Sequence, residues 1–231
     1  MTLTKATDRA TDRVTAKPST RASTRASTRS STKIMTRIAL ILVALSPAAY
    51  AQPWALDPEG STLGFASVKN GSIAEGHRFT GLSGAVDEDA SRLTIELSSV
   101  DTAIPIRDQR MRELLFEVAD FPQAIFESDL GSEALEGLAT GESRSVEIKG
   151  ELSIREARVP VQATVLVTRT SAAQVVVSTL RPIVVSADAL TLSEGLVRLR
   201  DIAGLESITP TVPVTFTLAF GRETLPERRT F

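Results

Sequence analysis

Catalysis near neutral pH draws on histidine, thiols or paired carboxylates, and this chain of 231 residues is sparing with them: one histidine, His77, and no cysteine. A zinc or iron site would want several nitrogen or sulfur ligands, and His77 has only Glu75 close by in sequence. The plainer reading of His77 is a solvated loop residue. A Ser-His-Asp triad would need His77 as its base, but no Gly-x-Ser-x-Gly turn is present to hold a nucleophile. No phosphate-binding loop and no dinucleotide fingerprint occurs. Asp57, Asp101 and Asp108 could supply paired carboxylates for glycoside hydrolysis. Each also has a structural use, Asp57 in a turn before Pro58 and Asp108 in the first turn of a helix, where it complements the dipole. Arg107 can tie that helix to Asp101 or to backbone carbonyls, or it can touch a ligand, and the structural role is favoured. No catalytic residue, metal or cofactor is expected.

The remaining candidates are apolar. Met111, Leu114, Leu115 and Val118 recur at helical spacing, so 107–118 is expected to form an amphipathic helix of about three turns. Pro122 is a poor continuation of a helix and pushes Phe121 toward an extended conformation. Met111, Leu115, Phe116, Phe121 and Phe126 then have two readings. They can pack the helix on the end of a barrel as ordinary core, or they can form the apolar rim of a lumen, with Met as the adaptable element. Pattern by itself favours core.

The elements that must position these residues are strands. Short strands are expected at 54–57, 61–68 and 73–79, with Asn70-Gly71 as a two-residue hairpin turn. Leu82–Val86 follows, then Ser91–Val100 with Leu93, Ile95 and Leu97 on one face. After the helix come Ile125–Leu130, a polar loop to about Gly141, Ser145–Arg155, Val159–Thr168, 175–179 and Pro182–Ser186. Leu190–Leu205 is ambiguous, with room for a short helical turn before Gly204. Thr211–Phe220 is the last strand. Eight or nine strands with turns at short, regular spacing indicate an all-β sandwich or barrel. An eight-stranded barrel either fills its interior with side chains or holds one small ligand.

The ends of the chain have other uses. Residues 1–34 carry the repeat STRA-STRA-STRS and almost no apolar residues, so they are expected to be a disordered extension, or translation to begin at Met35. Met35–Ala51 has the Arg37 n-region, the apolar run Ile38–Leu45 and the Ala49-Tyr50-Ala51 cleavage site of a secretory signal peptide, removed after Ala51. Its apolar run is too short to span a bilayer. Without cysteine there is no lipid attachment site and no disulfide framework. The mature part from residue 52 holds 17 basic and 26 acidic residues, a net charge of about −9, which argues against nucleic acid and against docking on anionic lipid. A barrel domain over 52–221 and a frayed charged tail over 222–231 are expected.

The order of motifs resembles the YceI-like family of secreted or periplasmic lipocalin-like barrels that bind polyisoprenoid chains. The matching residues are Asp57-Pro58 with Ser61, Phe65, Gly76 with Phe79 and Gly84, Ser99-Val100-Asp101-Thr102, Arg107-Asp108, Phe116, Phe121-Pro122 and Phe126-Glu127-Ser128. Gly150-Glu151-Leu152-Ser153-Ile154, Val159-Pro160-Val161, Ile202-Ala203-Gly204-Leu205 and Val212-Pro213-Val214-Thr215-Phe216 continue it, so it spans nearly all of 54–220. Two places depart from it: Arg155-Glu156-Ala157 replaces a smaller turn, and Gln109-Arg110-Met111 stands where many members carry His. The resemblance implies an antiparallel lipocalin-like β-barrel of about eight strands with one short helix, 107–118, near its mouth. It implies non-enzymatic carriage of a long apolar lipid, a polyprenyl chain or an isoprenoid quinone, with Phe65, Arg107, Met111, Leu115, Phe116, Phe121 and Phe126 as ligand-binding candidates. A structural or stress-response module with a filled core and a protein partner is the alternative, and a carboxylate-dependent hydrolase the more remote one. A homodimer stays open.

Overall fold

A sheet with one apolar face can bury it by curling until its two edges meet, which also removes both edges. The computed structural model describes residues 53–222 and shows that closure. The expected extension 1–34, the expected signal peptide 35–51 and residues 223–231 of the expected tail lie outside the described residues. Eleven strands lie among the described residues. They are β1 (Trp54–Lys69), β2 (Ile73–Phe79), β3 (Leu82–Val86), β4 (Ser91–Glu96), β5 (Val100–Asp101), β6 (Gln123–Ser128), β7 (Ser143–Ile154), β8 (Ala157–Ser171), β9 (Gln174–Thr179), β10 (Ile183–Ser186) and β11 (Thr211–Gly221).

They form eight staves of a closed antiparallel barrel, because three staves are broken once. β2 and β3 lie along the same side of β1, β4 continues into β5 through a single turn at Leu97–Ser99, and β9 and β10 lie along the same side of β11. The ring closes where β11 pairs with β1, at Leu56 opposite Phe220 and Leu63 opposite Phe216. The expected barrel of about eight strands is the one that forms. The Asn70-Gly71 turn is also where the sequence puts it, with both residues at positive φ, 50° and 76°. The loop holds three residues and not two: Ser72 joins the turn and Lys69 pairs with Ile73, which shifts the register by one residue from that of a two-residue turn.

Register stacks the interior in layers. Phe126 of β6 lies between Leu93 of β4 and Leu152 of β7, and Ala124 lies between Ile95 and Ile154. Gly150 leaves room for the Phe126 ring: a Cβ there would stand 2.8 Å from it and 2.2 Å from the Glu127 carbonyl. One end of the barrel is plugged. Trp54, Val86, Leu135, Val165, Val167 and Val175 are at most 1% exposed there, and the Arg169 and Arg222 guanidinium groups lie 5.1 and 4.5 Å from the Trp54 ring centroid. Arg222 also bonds Glu136 at 2.6 Å. It therefore belongs to the barrel and not to the frayed tail, a correction of one residue whose cause is the indole it covers.

The other end carries two helices. α1 (Pro105–Arg110) starts two residues earlier than the sequence suggests, with Pro at its first position, where no N–H is needed. It runs into one wide turn, Met111–Leu115, in which the Phe116 N–H reaches back five residues to the Met111 carbonyl at 3.0 Å. Helical structure stops at Leu115 and not at Val118, and Glu117 sits at φ 53°. The ambiguous stretch 190–205 holds a second helix, α2 (Ser193–Ile202). Its Gly195 packs on the wide turn so closely that a Cβ would stand 2.5 Å from the Leu114 carbonyl and 2.8 Å from the Leu115 Cα. Ala favours an α-helix over Gly by about 1 kcal/mol, but both close atoms are backbone and cannot rotate away. Gly195→Ala is therefore expected to lower stability by about 1–2 kcal/mol in urea denaturation; a more stable variant would mean that α2 does not seat on the turn.

Candidate functional site

The helices close the barrel over two neighbouring compartments. The inner one, about 160 Å³, is lined by apolar side chains alone. Leu63, Phe79, Leu93, Ile95, Phe126, Leu152, Val161, Ile183, Val214 and Phe216 come from the staves, Met111, Leu115 and Phe116 from the wide turn and its end, and Leu192 and Leu196 from α2 and its approach. An apolar cavity of this size stays dry and takes a benzene-sized group. The outer compartment, about 170 Å³, shares Phe65, Met111, Leu115, Leu196 and Val212 with the inner one, and adds Ser67, Lys69, Glu75, His77, Arg107 and Arg110. A row of rings connects the two: His77 lies 5.2 Å from Phe65, Phe65 5.3 Å from Phe79, and Phe79 5.8 Å from Phe116, centroid to centroid.

Of the candidates read from sequence, Phe65, Met111, Leu115, Phe116 and Phe126 line the inner compartment and Arg107 the outer one. Phe121 does not join them. It follows Glu117, bonds back to the Glu117 carbonyl through its N–H at 3.0 Å, and lies under the Arg155 guanidinium at 5.3 Å. The short return of chain before Pro122 sets its ring outside both compartments. α2 was missed as a wall of the site, although Leu192, Leu196 and Leu199 already stand at helical spacing before Gly204.

Arg107 takes a backbone carbonyl, one of its two expected anchors, and Glu75 in place of Asp101, the other. It donates to Glu75 of β2 at 2.8 Å and to the Thr102 carbonyl at 2.7 Å, while Asp101 is taken by Arg78 at 2.8 Å. Glu75 also accepts Lys69 at 2.9 Å, so one carboxylate joins two cations at the mouth. The Lys69 hydrogen bond, followed by the charge and hydrogen bond of Arg107, holds the Glu75 carboxyl below its ordinary value despite desolvation. The three aspartates that could have suggested glycoside chemistry hold backbone: Asp57 accepts the Glu59 N–H at 3.1 Å, Asp101 the Ala103 N–H at 2.9 Å, and Asp108 the Thr102 N–H at 2.9 Å. Among the described residues no group of three or more His, Asp or Glu is placed to hold a metal ion.

His77 is the main correction. It is no solvated loop residue but a β2 residue 8% exposed, hydrogen-bonded through Nε2 to Ser67 at 2.8 Å. The signal was in strand parity: His77 stands two residues before Phe79 on β2 and shares its inward face, where Phe65 lies opposite His77 and Leu63 opposite Phe79. Desolvation, then the nearby Arg107 cation, pushes its imidazole below the ordinary value of 6.5, against Glu75 and Asp108. A lowered folded value means that the unfolded chain binds the proton first as pH falls. Stability should therefore decline as pH drops through 6.5 and level off once pH is below the folded value. Urea midpoints between pH 7.5 and 5.5 should fall for the native chain and stay flat for His77→Gln; equal slopes would assign the decline to another group. Glu75 and Asp101, both lowered, act in a separate window, losing their contribution below their ordinary values of 4.5 and 3.8.

The model of the YceI-like domain matches residues 54–220. A polyisoprenoid-binding domain from Saccharophagus degradans, implicated in plant cell wall breakdown, is 34% identical with a TM-score of 0.72, and the match covers 74% of this chain and 98% of that one. Burkholderia cenocepacia BcnA is 18% identical with a TM-score of 0.56, covering 71% of this chain and 98% of that one, a likeness of fold alone. No curated protein matches the chain.

Proposed function

The chain belongs to the YceI-like domain family, and from that membership we propose that it carries a long apolar chain, a polyisoprenoid or quinone-type lipid, in the barrel lumen and acts on it without catalysis. The observation that carries this reading is the inner compartment, walled by apolar side chains and opening toward the mouth through shared residues. Its similarity to a polyisoprenoid-binding domain from Saccharophagus degradans supports the ligand class. Each methylene moved from water into such a lumen contributes about 0.8 kcal/mol, so a prenyl tail needs little polar recognition. The lumen at rest takes only a benzene-sized group. A longer tail enters as Met111, Leu115 and Leu196, three of the five residues the compartments share, swing aside, and methionine suits that motion. The aspartates tied to backbone favour a carrier over a hydrolase, and the cavity favours it over a module with a filled core. The signal-peptide pattern of Met35–Ala51 supports work in the periplasm or outside the cell. Among the described residues no helix is long and apolar enough to cross a membrane.

Native mass spectrometry of the protein expressed with its leader, followed by organic extraction, tests the proposal. A stoichiometric apolar adduct released by solvent is expected. Clean apo masses from lipid-rich preparations, with no uptake of added polyprenyl compounds, would overturn it.

A further inference from the structure

An apolar tail satisfies the inner compartment and leaves the outer one unexplained. His77 is 8% exposed, lines that compartment, and has no partner for its Nδ1; the Nε of Arg107, on the same wall, is buried and also without one. Leaving a buried donor or acceptor unpaired carries its full desolvation penalty. Among the described residues Glu75 is the only carboxylate on the compartment wall, against Lys69, Arg107 and Arg110, and it already bridges the first two. The wall thus has unused hydrogen-bonding capacity and a surplus of positive charge, a few ångströms from where an apolar tail would leave the lumen.

We propose that the outer compartment is a headgroup site for an anionic oxygen group, a carboxylate or a phosphate monoester, borne on the lipid whose tail fills the inner compartment. The proposal rests on the carrier reading and sharpens it: the cargo is an acidic amphiphile. With Ser67 donating to Nε2, the His77 Nδ1–H donates to the headgroup, and Arg110 and Lys69 supply charge at the rim. Charge-assisted bonds of this kind are roughly twice as strong as neutral ones.

Displacement of the neutral probe N-phenyl-1-naphthylamine by matched pairs tests it: farnesyl phosphate against farnesol, and dodecanoate against dodecan-1-ol. In at least one pair the acid should bind about tenfold tighter than its alcohol, and the pair that does so tells phosphate from carboxylate. Raising salt from about 0.05 to 0.5 M should shrink the preference. His77→Phe should bring it within about threefold; if that variant fails to fold, Arg110→Gln and the salt series on the native protein carry the test. Equal binding of acid and alcohol in both pairs, or a preference untouched by salt and substitution, would overturn the headgroup site and leave the carrier standing. Failure of all four compounds to displace the probe would remove both.

Discussion

Val214→Trp should reduce uptake of an apolar chain by a factor of ten or more while the barrel stays folded. Val214 is half-buried on β11, between Phe65 of β1 and Ile183 of β10 in register, and its side chain faces the inner compartment. An indole there takes up much of a space of about 160 Å³ and replaces the methylenes that a tail would bring. Inserting bulk into a full core costs about 1–3 kcal/mol; here empty volume absorbs most of it, so the melting temperature should change little. Native mass spectrometry with an added polyprenyl compound reads the uptake and circular dichroism the fold. Undiminished uptake by a folded variant would place the tail outside the lumen.

The plug at the other end controls stability and not binding. Trp54→Ala should cost about 3–5 kcal/mol, the range for deleting a large buried aromatic. Trp54 is 1% exposed, and its loss strands the two guanidinium groups stacked on it. Domains of this size have only about 5–15 kcal/mol in total, so the variant should melt far below the native chain, whereas Trp54→Phe should recover much of the difference. Trp54 is the one tryptophan in the chain, so unfolding must be followed by circular dichroism. A loss below about 1 kcal/mol would mean that the plug relaxes into the space.

Local pattern carried much of the fold. Alternation along β4, β7, β8 and β11 is visible residue by residue, and Asn70-Gly71 marks the β1–β2 turn, although a two-residue loop would pair Lys69 with Ser72 and the observed one pairs it with Ile73. The helix before the Phe-Pro pair was legible within two or three residues at each end. Its wide turn was not, because an i to i−5 bond leaves no mark on spacing this short. Leu135 was hidden for a different reason: one apolar residue in a polar loop reads as loop until a barrel end is there to receive it.

What the sequence determined by itself was therefore which residues of one element share a face: Met111 with Leu115 by helical spacing, Leu93 with Ile95 by strand parity. A face has no inside until something closes around it. Only the tertiary structure decided that β11 meets β1, that α2 seats Gly195 on the wide turn, that Arg107 reaches Glu75 and not Asp101, that Phe121 falls outside, and that a space remains in the middle. These are contacts between residues far apart in the chain, and whether side chains fill or leave a volume depends on the whole ring of staves at once. Periodicity records the direction in which a side chain points, never the distance to what it meets.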